Sequence, residues 1–188
     1  MKMKGIDVSE NNGAIDWQAV KNEGIEFVII RCSYGLHSKD GNFAENVAGA
    51  HEVGLKVGAY HYSYALTVDD AIQEAVNCRE AIDSTGVGIE LPVFFDMEDA
   101  DQYKANHSFS FSTEDITAIC KAFIDNLGLD CGVYASYSWL MDKIDWQSFG
   151  CAIWNAQYNA EDDFKGYMWQ YTDHEVIDGK NFDGNILY

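Results

Sequence analysis

Basic residues are scarce. Twelve Lys and Arg face 31 Asp and Glu, a formal net charge of −19 over 188 residues. Phosphate binding needs clustered Lys and Arg, so a nucleic-acid partner is excluded. No apolar run approaches the ~20 residues of a membrane span. The opening "MKMKGIDVSE" has lysines but neither an apolar core nor a small-residue cleavage site, so it is no recognisable secretory signal. C-x-x-C, H-x-H and H-E-x-x-H groupings are all missing, which excludes the usual zinc sites; no metal or cofactor is expected. The cysteines (Cys32, Cys78, Cys120, Cys131, Cys151) are odd in number and dispersed, the pattern of buried free thiols in a chain that folds in a reducing compartment. There is one proline, Pro92, and no repeat, linker or low-complexity tract. The length suits a single domain over residues 1–188.

What the chain does contain is alternation. "KGIDVS", "EFVIIRCSYG", "KVGAYHYSYA", "ELPVFFDMED" and "CGVYAS" are β-rich apolar runs, as expected of strands covered on both faces. Helical segments separate them. "DWQAVKNEG" has Asp16 as N-cap, and "NFAENVAGAHEVG" stops at Gly54. "TVDDAIQEAVNCREAID" carries Ile72, Ala75, Val76, Arg79 and Ile82 along one expected inner face. The helix after Ser112 places Ile116, Ile119, Cys120, Phe123, Ile124 and Leu127 at helical spacing and ends at Gly128. "CAIWNAQY", "GYMWQYT" and "FDGNILY" then follow with connections too short for full crossover helices. A doubly wound fold would want G-x-G-x-x-G after the first strand, and "DVSENNGAIDW" does not supply it. The expected fold is α/β: a trimmed TIM-like (β/α) barrel of parallel strands, about five βα units followed by three strands with short connections.

In such a barrel the chemistry sits at the strand C-terminal ends. Asp7 closes the first strand, Asp96 and Glu98 close the fourth, and Asp183 lies in the last run. Alternation puts Asp96 and Glu98 on one face, their Cα atoms ~6.6 Å apart, and turns Met97 away. Paired carboxyls of this kind suit glycoside cleavage, one as proton donor and one as charged companion. Crowding should raise at least one pKa, and the longer Glu98 is the better donor. Tyr60, Tyr62, Tyr64, Tyr134, Trp154 and Trp169, with the amides of Gln157 and Gln170, are placed to meet sugar faces and hydroxyl edges.

These motifs together resemble the lysozymes of glycoside hydrolase family 25, the phage and bacterial N-acetylmuramidases. The resemblance rests on "GIDVSENNGAIDW", "FVIIRCSYG", "GAYHYSYA", the D-x-E pair in "FFDMED", the W-Q-Y-T run from Trp169 to Thr172 and the aspartate of "FDGN", in order over the whole chain. It implies a peptidoglycan hydrolase that cleaves the β-1,4 bond between N-acetylmuramic acid and N-acetylglucosamine with net retention. It also implies Glu98 as general acid, Asp96 as partner carboxylate, Asp7 and Asp183 as further cleft acids, and Tyr62 beside the reacting sugar. Whether Asp96 attacks directly or orients the substrate's acetamido group stays open at this level. The implied partner is bacterial cell-wall peptidoglycan, reached after release or by another export route. No cell-wall-binding repeat follows Tyr188, so a catalytic module of a longer chain with a separate anchoring domain is expected. Two other readings differ in what they require. A chitinase-like hydrolase would want the longer D-x-x-D-x-D-x-E run, which "LPVFFDMED" lacks. A non-catalytic carbohydrate-binding domain would need no proton donor.

Overall fold

The computed structural model describes residues 2–188. Its elements in chain order are β1 (Met3–Val8), α1 (Trp17–Asn22), β2 (Phe27–Tyr34), β3 (Ser38–Lys39), α2 (Phe43–Glu52), β4 (Lys56–Tyr62), α3 (Val68–Asp83) and β5 (Val93–Asp96). There follow α4 (Tyr103–Asn106), α5 (Thr113–Leu127), β6 (Cys131–Ser136), α6 (Tyr137–Asp142), β7 (Ala152–Ala156), β8 (Met168–Ile177) and β9 (Lys180–Leu187). Eight strands close a ring in the order β1, β2, β4, β5, β6, β7, β8, β9, with β9 returning to β1; the two-residue β3 clips onto β2 outside it.

The ring is not wholly parallel, which corrects the expectation. Seven strands run one way and β9 runs against both neighbours. The cause is local. Ile177 pairs with Lys180 across Asp178-Gly179, both at positive φ (48° and 73°), so β8 and β9 form a tight hairpin. The acidic "DHEV" forms the outer half of β8.

Inside the ring, Phe27, Ile29, Phe94, Trp154, Met168 and Leu187 fill the lower barrel. Glycines make room for them. A Cβ on Gly5 would sit 2.3 Å from the Phe27 ring, and one on Gly132 would sit 2.7 Å from Phe94. Burying each large side chain contributes ~1.5–3 kcal/mol. Outside the ring, Val28, Ile30, Val57, Phe95, Met97 and Val133 pack against the helices. The helix starts follow the caps: Asp16 and Ser112 accept from backbone amides of α1 and α5, and Gly128 ends α5 at φ 70°.

The inner face of α3 agrees with the expected one at Ala75 and Ile82, both buried, and differs elsewhere. Ala71, Glu74, Ala75, Cys78 and Ala81 are buried, whereas Ile72 and Val76 are 36% and 44% exposed. Small residues let α3 lie close to β2 and α5, and this close fit outweighs the greater apolar surface of the isoleucine and valine.

Candidate active site

The C-terminal mouth of the barrel gathers the acids. Asp7 ends the inward-facing series of β1 and lies directly across from Asp183 of β9. Asp183 reaches this mouth only because β9 is antiparallel, so its early residues lie level with the ends of the parallel strands. On the facing wall Tyr62, Asp96 and Tyr134 stand in one register row across β4, β5 and β6. Glu98 lies beyond the end of β5 rather than within it, yet the alternation persists: Met97 is fully buried in the outer layer, and Asp96 and Glu98 share the inner side.

A buried hydrogen-bond chain holds Asp7. Its Oδ2 accepts from Gln170 Nε2 at 2.9 Å and from Asn185 Nδ2 at 2.7 Å. Each amide is oriented in turn. Trp154 Nε1 donates to Asn185 Oδ1 at 2.8 Å, and the Tyr134 and Tyr158 hydroxyls donate to Gln170 Oε1 at 2.9 and 3.1 Å. Each amide therefore has its oxygen occupied and its N–H aimed at the carboxyl.

The electrostatics are those of acids crowded in a partly dry site. Burial, then the charge of Asp183, raises the Asp7 pKa well above the usual carboxylate range, despite the two amide donors. Burial and the neighbouring Glu98 raise Asp96 likewise. Its Oδ1 is buried and lacks a hydrogen-bond partner among the described residues. Glu98 is raised by burial, opposed chiefly by the Lys104 ammonium, with Asp101 and Asp183 adding to the rise. Asp183 is raised mainly by burial. The site therefore keeps protons on its carboxyls at higher pH than free acids would. The Tyr60 hydroxyl, raised by burial and by Asp7, faces the same acids.

The expected contact residues divide. Tyr60, Tyr62, Tyr134 and Gln170 stand with the acids. Trp154 does not reach the rim: it is 2% exposed, packed in the barrel against Phe94 and Tyr134, and serves the site only through Asn185. Gln157 is turned aside, its amide committed to Asp163 by bonds of 2.7 and 3.1 Å. Trp169 points outward, because its strand neighbour Gln170 points in; its ring packs on Tyr171. Asn185, Tyr158 and Lys104 were not expected at the site. Asn185 was within reach of the sequence, since it lies two residues beyond Asp183 and so shares its face. Alongside the acids a groove of about 470 Å³ runs out past Arg31, Tyr34, Tyr62, Tyr64 and Asp101. Glu10 and Asp40 hold the Arg31 guanidinium there at 3.1 and 2.9 Å. Among the described residues, no three His, Cys, Asp or Glu side chains are grouped as a metal ion would need.

Comparison with known proteins places the chain in a family. The sequence profile of glycosyl hydrolases family 25 matches residues 6–180. An autolytic lysozyme of Clostridium acetobutylicum is 29% identical over 185 residues, covering 94% of this chain and 52% of the relative. Lysozyme M1 of Streptomyces globisporus is 39% identical over 61 residues, 32% of this chain and 21% of that protein. Among solved structures, the modular autolysin LytC of Streptococcus pneumoniae superposes with a TM-score of 0.85 at 25% identity, over 100% of this chain and 47% of that one. The CTP1L endolysin gives 0.83 at 26% identity, over 99% of this chain and 66% of the other. The chain thus spans about half the length of the autolytic lysozyme it matches.

Proposed function

Because the chain belongs to glycosyl hydrolases family 25, we propose that it is a lysozyme of the muramidase type, cleaving the β-1,4 bond between N-acetylmuramic acid and N-acetylglucosamine in bacterial peptidoglycan. The observation that carries this reading is the convergence of four carboxyls from three walls of the barrel on one mouth, in a chain of this family. Glu98 is the proton donor. It is the outermost of the pair, and its raised pKa keeps it protonated further towards neutral pH. It protonates the glycosidic oxygen as the bond breaks. Asp96 works at the anomeric carbon. Its unpartnered, buried Oδ1 suits an acceptor role towards the N–H of the substrate's own 2-acetamido group, whose carbonyl oxygen then attacks with net retention. Asp7 and Asp183 line the cleft where the oxocarbenium ion develops, which the charge of an ionised carboxyl there would favour, and Tyr62 lies beside the reacting sugar in the Asp96 row. The enzyme acts at the cell wall, with residues 1–188 as one catalytic domain.

The test is product analysis on a purified, chemically defined peptidoglycan. New reducing ends should appear on muramic acid, and Glu98→Gln should lower turnover by roughly 10²–10⁴-fold with the melting curve unchanged. Reducing ends on glucosamine would reassign the enzyme to the other glycan bond. Free stem peptides would remove it from glycan chemistry altogether.

A further inference from the structure

Among the described residues, Lys104 is the one lysine sealed inside this acidic protein, at 1% exposure. It lies on the single turn α4, in the long connection between β5 and α5. A buried ammonium is costly unless its donors and charge are met. Here they are met by the active-site wall. The Nζ donates to the backbone carbonyl of Ser63 and, at 2.9 Å, to that of Glu98 itself. Ser63 follows Tyr62 at the end of β4, and its amide donates to the Asp96 carbonyl at 3.1 Å. One side chain thus ties the tyrosine wall to the acid loop.

The connection is built around this contact. Both oxygens of Asp99 accept from α4 amides, Oδ1 from Lys104 N at 2.7 Å and Oδ2 from Ala105 N at 3.1 Å. Gln102 enters the turn at a left-handed φ of 60°. Tyr103 packs edge-on against Tyr64 at 4.6 Å, and the Tyr64 hydroxyl donates to Asp101 at 2.7 Å. Behind Lys104 lies a sealed polar cluster: Tyr64 N donates to Glu74 Oε1 at 2.7 Å, and His61 Nε2 lies 3.5 Å from Glu74 Oε2.

We propose that Lys104 is a positioning residue: its buried ammonium clamps the Glu98 carbonyl to that of Ser63, holding the outer acid and the Tyr62–Tyr64 edge in one geometry across the cleft. The inference deepens the glycosidase reading and rests on it for its kinetic consequences. The charge has a second effect. The groups facing Lys104 are Glu74 from α3, Asp96 from β5, Asp99 and Asp101 from its own loop, and the Cys120 thiol from α5, with Glu98 beside it. The ammonium lowers the pKa of both Asp96 and Glu98 against the burial that raises them. Removing it therefore displaces both limbs of the pH–rate profile upward.

Lys104→Met keeps the length and apolar stem and deletes the charge; Lys104→Arg keeps the charge. With wild-type-like circular dichroism, the Met variant should lose on the order of 10–100-fold in kcat with little change in KM, and its whole profile should move to higher pH. The Arg variant should restore the position of the profile. An unmoved profile, or a loss confined to KM, overturns the proposal. A measurement on the wild-type protein stands without any variant. The backbone carbonyl carbons of Ser63 and Glu98 should shift together, in carbon-13 NMR, with the titration of the Lys104 ammonium, and no shift overturns the clamp even if the Met variant does not fold. This arm needs no turnover. A wild-type protein with no glycan cleavage would therefore refute the glycosidase reading while leaving the clamp to be judged on the carbonyl signals.

Discussion

Asn185 is the joint on which the floor of the site turns, and Asn185→Ala tests the hydrogen-bond chain directly. The side chain is wholly buried and serves two masters: it accepts from the Trp154 indole at 2.8 Å and donates to Asp7 at 2.7 Å. Truncation leaves a buried indole N–H unmet, at ~1–3 kcal/mol. It also removes one of two donors from a carboxyl, and hydrogen bonds to charged groups contribute ~1.5–3 kcal/mol. Gln170 still holds Asp7, and where Asp7 is ionised the two losses together should come to about 2.5–6 kcal/mol, with the melting temperature falling by on the order of 10 °C. The pH dependence separates the two parts. Asp7 has a raised pKa in the folded state, so it favours folding at acid pH, and that contribution disappears as pH rises through the folded value. The Asn185 donor opposes the rise by stabilising the ionised form, so its loss is felt only where Asp7 is ionised. Below about pH 4 the carboxyl is protonated in both states, and only the indole loss remains. Urea unfolding followed by tryptophan fluorescence should therefore show a larger loss on the alkaline side of the Asp7 titration than near pH 4. A loss under about 1 kcal/mol, or one equal at both pH values, would show that the Trp154–Asn185–Asp7 chain does not operate as described.

Asp96→Asn should lower kcat much more than it changes KM, and should raise stability at neutral pH, because burial beside Glu98 disfavours the ionised carboxyl; a variant less stable at pH 7 than the wild type would contradict that. The thiols should split by exposure. Cys32, Cys78, Cys120 and Cys131 are buried and Cys151 is partly exposed, all five free. Burial raises the Cys120 and Cys131 thiols further from reactivity. A colorimetric thiol reagent should label about one cysteine rapidly in the native protein and all of them after denaturation; rapid labelling of several would place those sulfurs at the surface.

Particular elements show where sequence reasoning reaches and where it stops. The α5 face was legible because Ile116, Ile119, Cys120, Phe123 and Leu127 recur at helical period between a Ser cap and a Gly stop, and all five are buried. The α3 face was legible only in part: Ala75 and Ile82 are buried, but apolarity also points to Ile72 and Val76, whereas close packing selects alanines and a cysteine. Asp96 and Glu98 were legible from alternation at a strand end, and the rule carried one step past the strand itself. Trp154 and Gln157 were not, since an aromatic or an amide near a strand end has two faces to choose from, and its choice depends on neighbours far along the chain.

The sequence by itself determined the closed α/β barrel, through apolar strands alternating with capped helices, and it determined which carboxyls stand at the ends of β1 and β5. Periodicity is local, and those features need nothing beyond it. The Asp178-Gly179 turn sends β9 back locally, but only the tertiary structure decided that β9 then closes the ring against β1, which brings Asp183 level with Asp7. Only the tertiary structure, likewise, sealed Lys104 beneath Glu98, 2.9 Å from its carbonyl. Both outcomes depend on which distant parts of the chain come together, and no short stretch of chain carries that information.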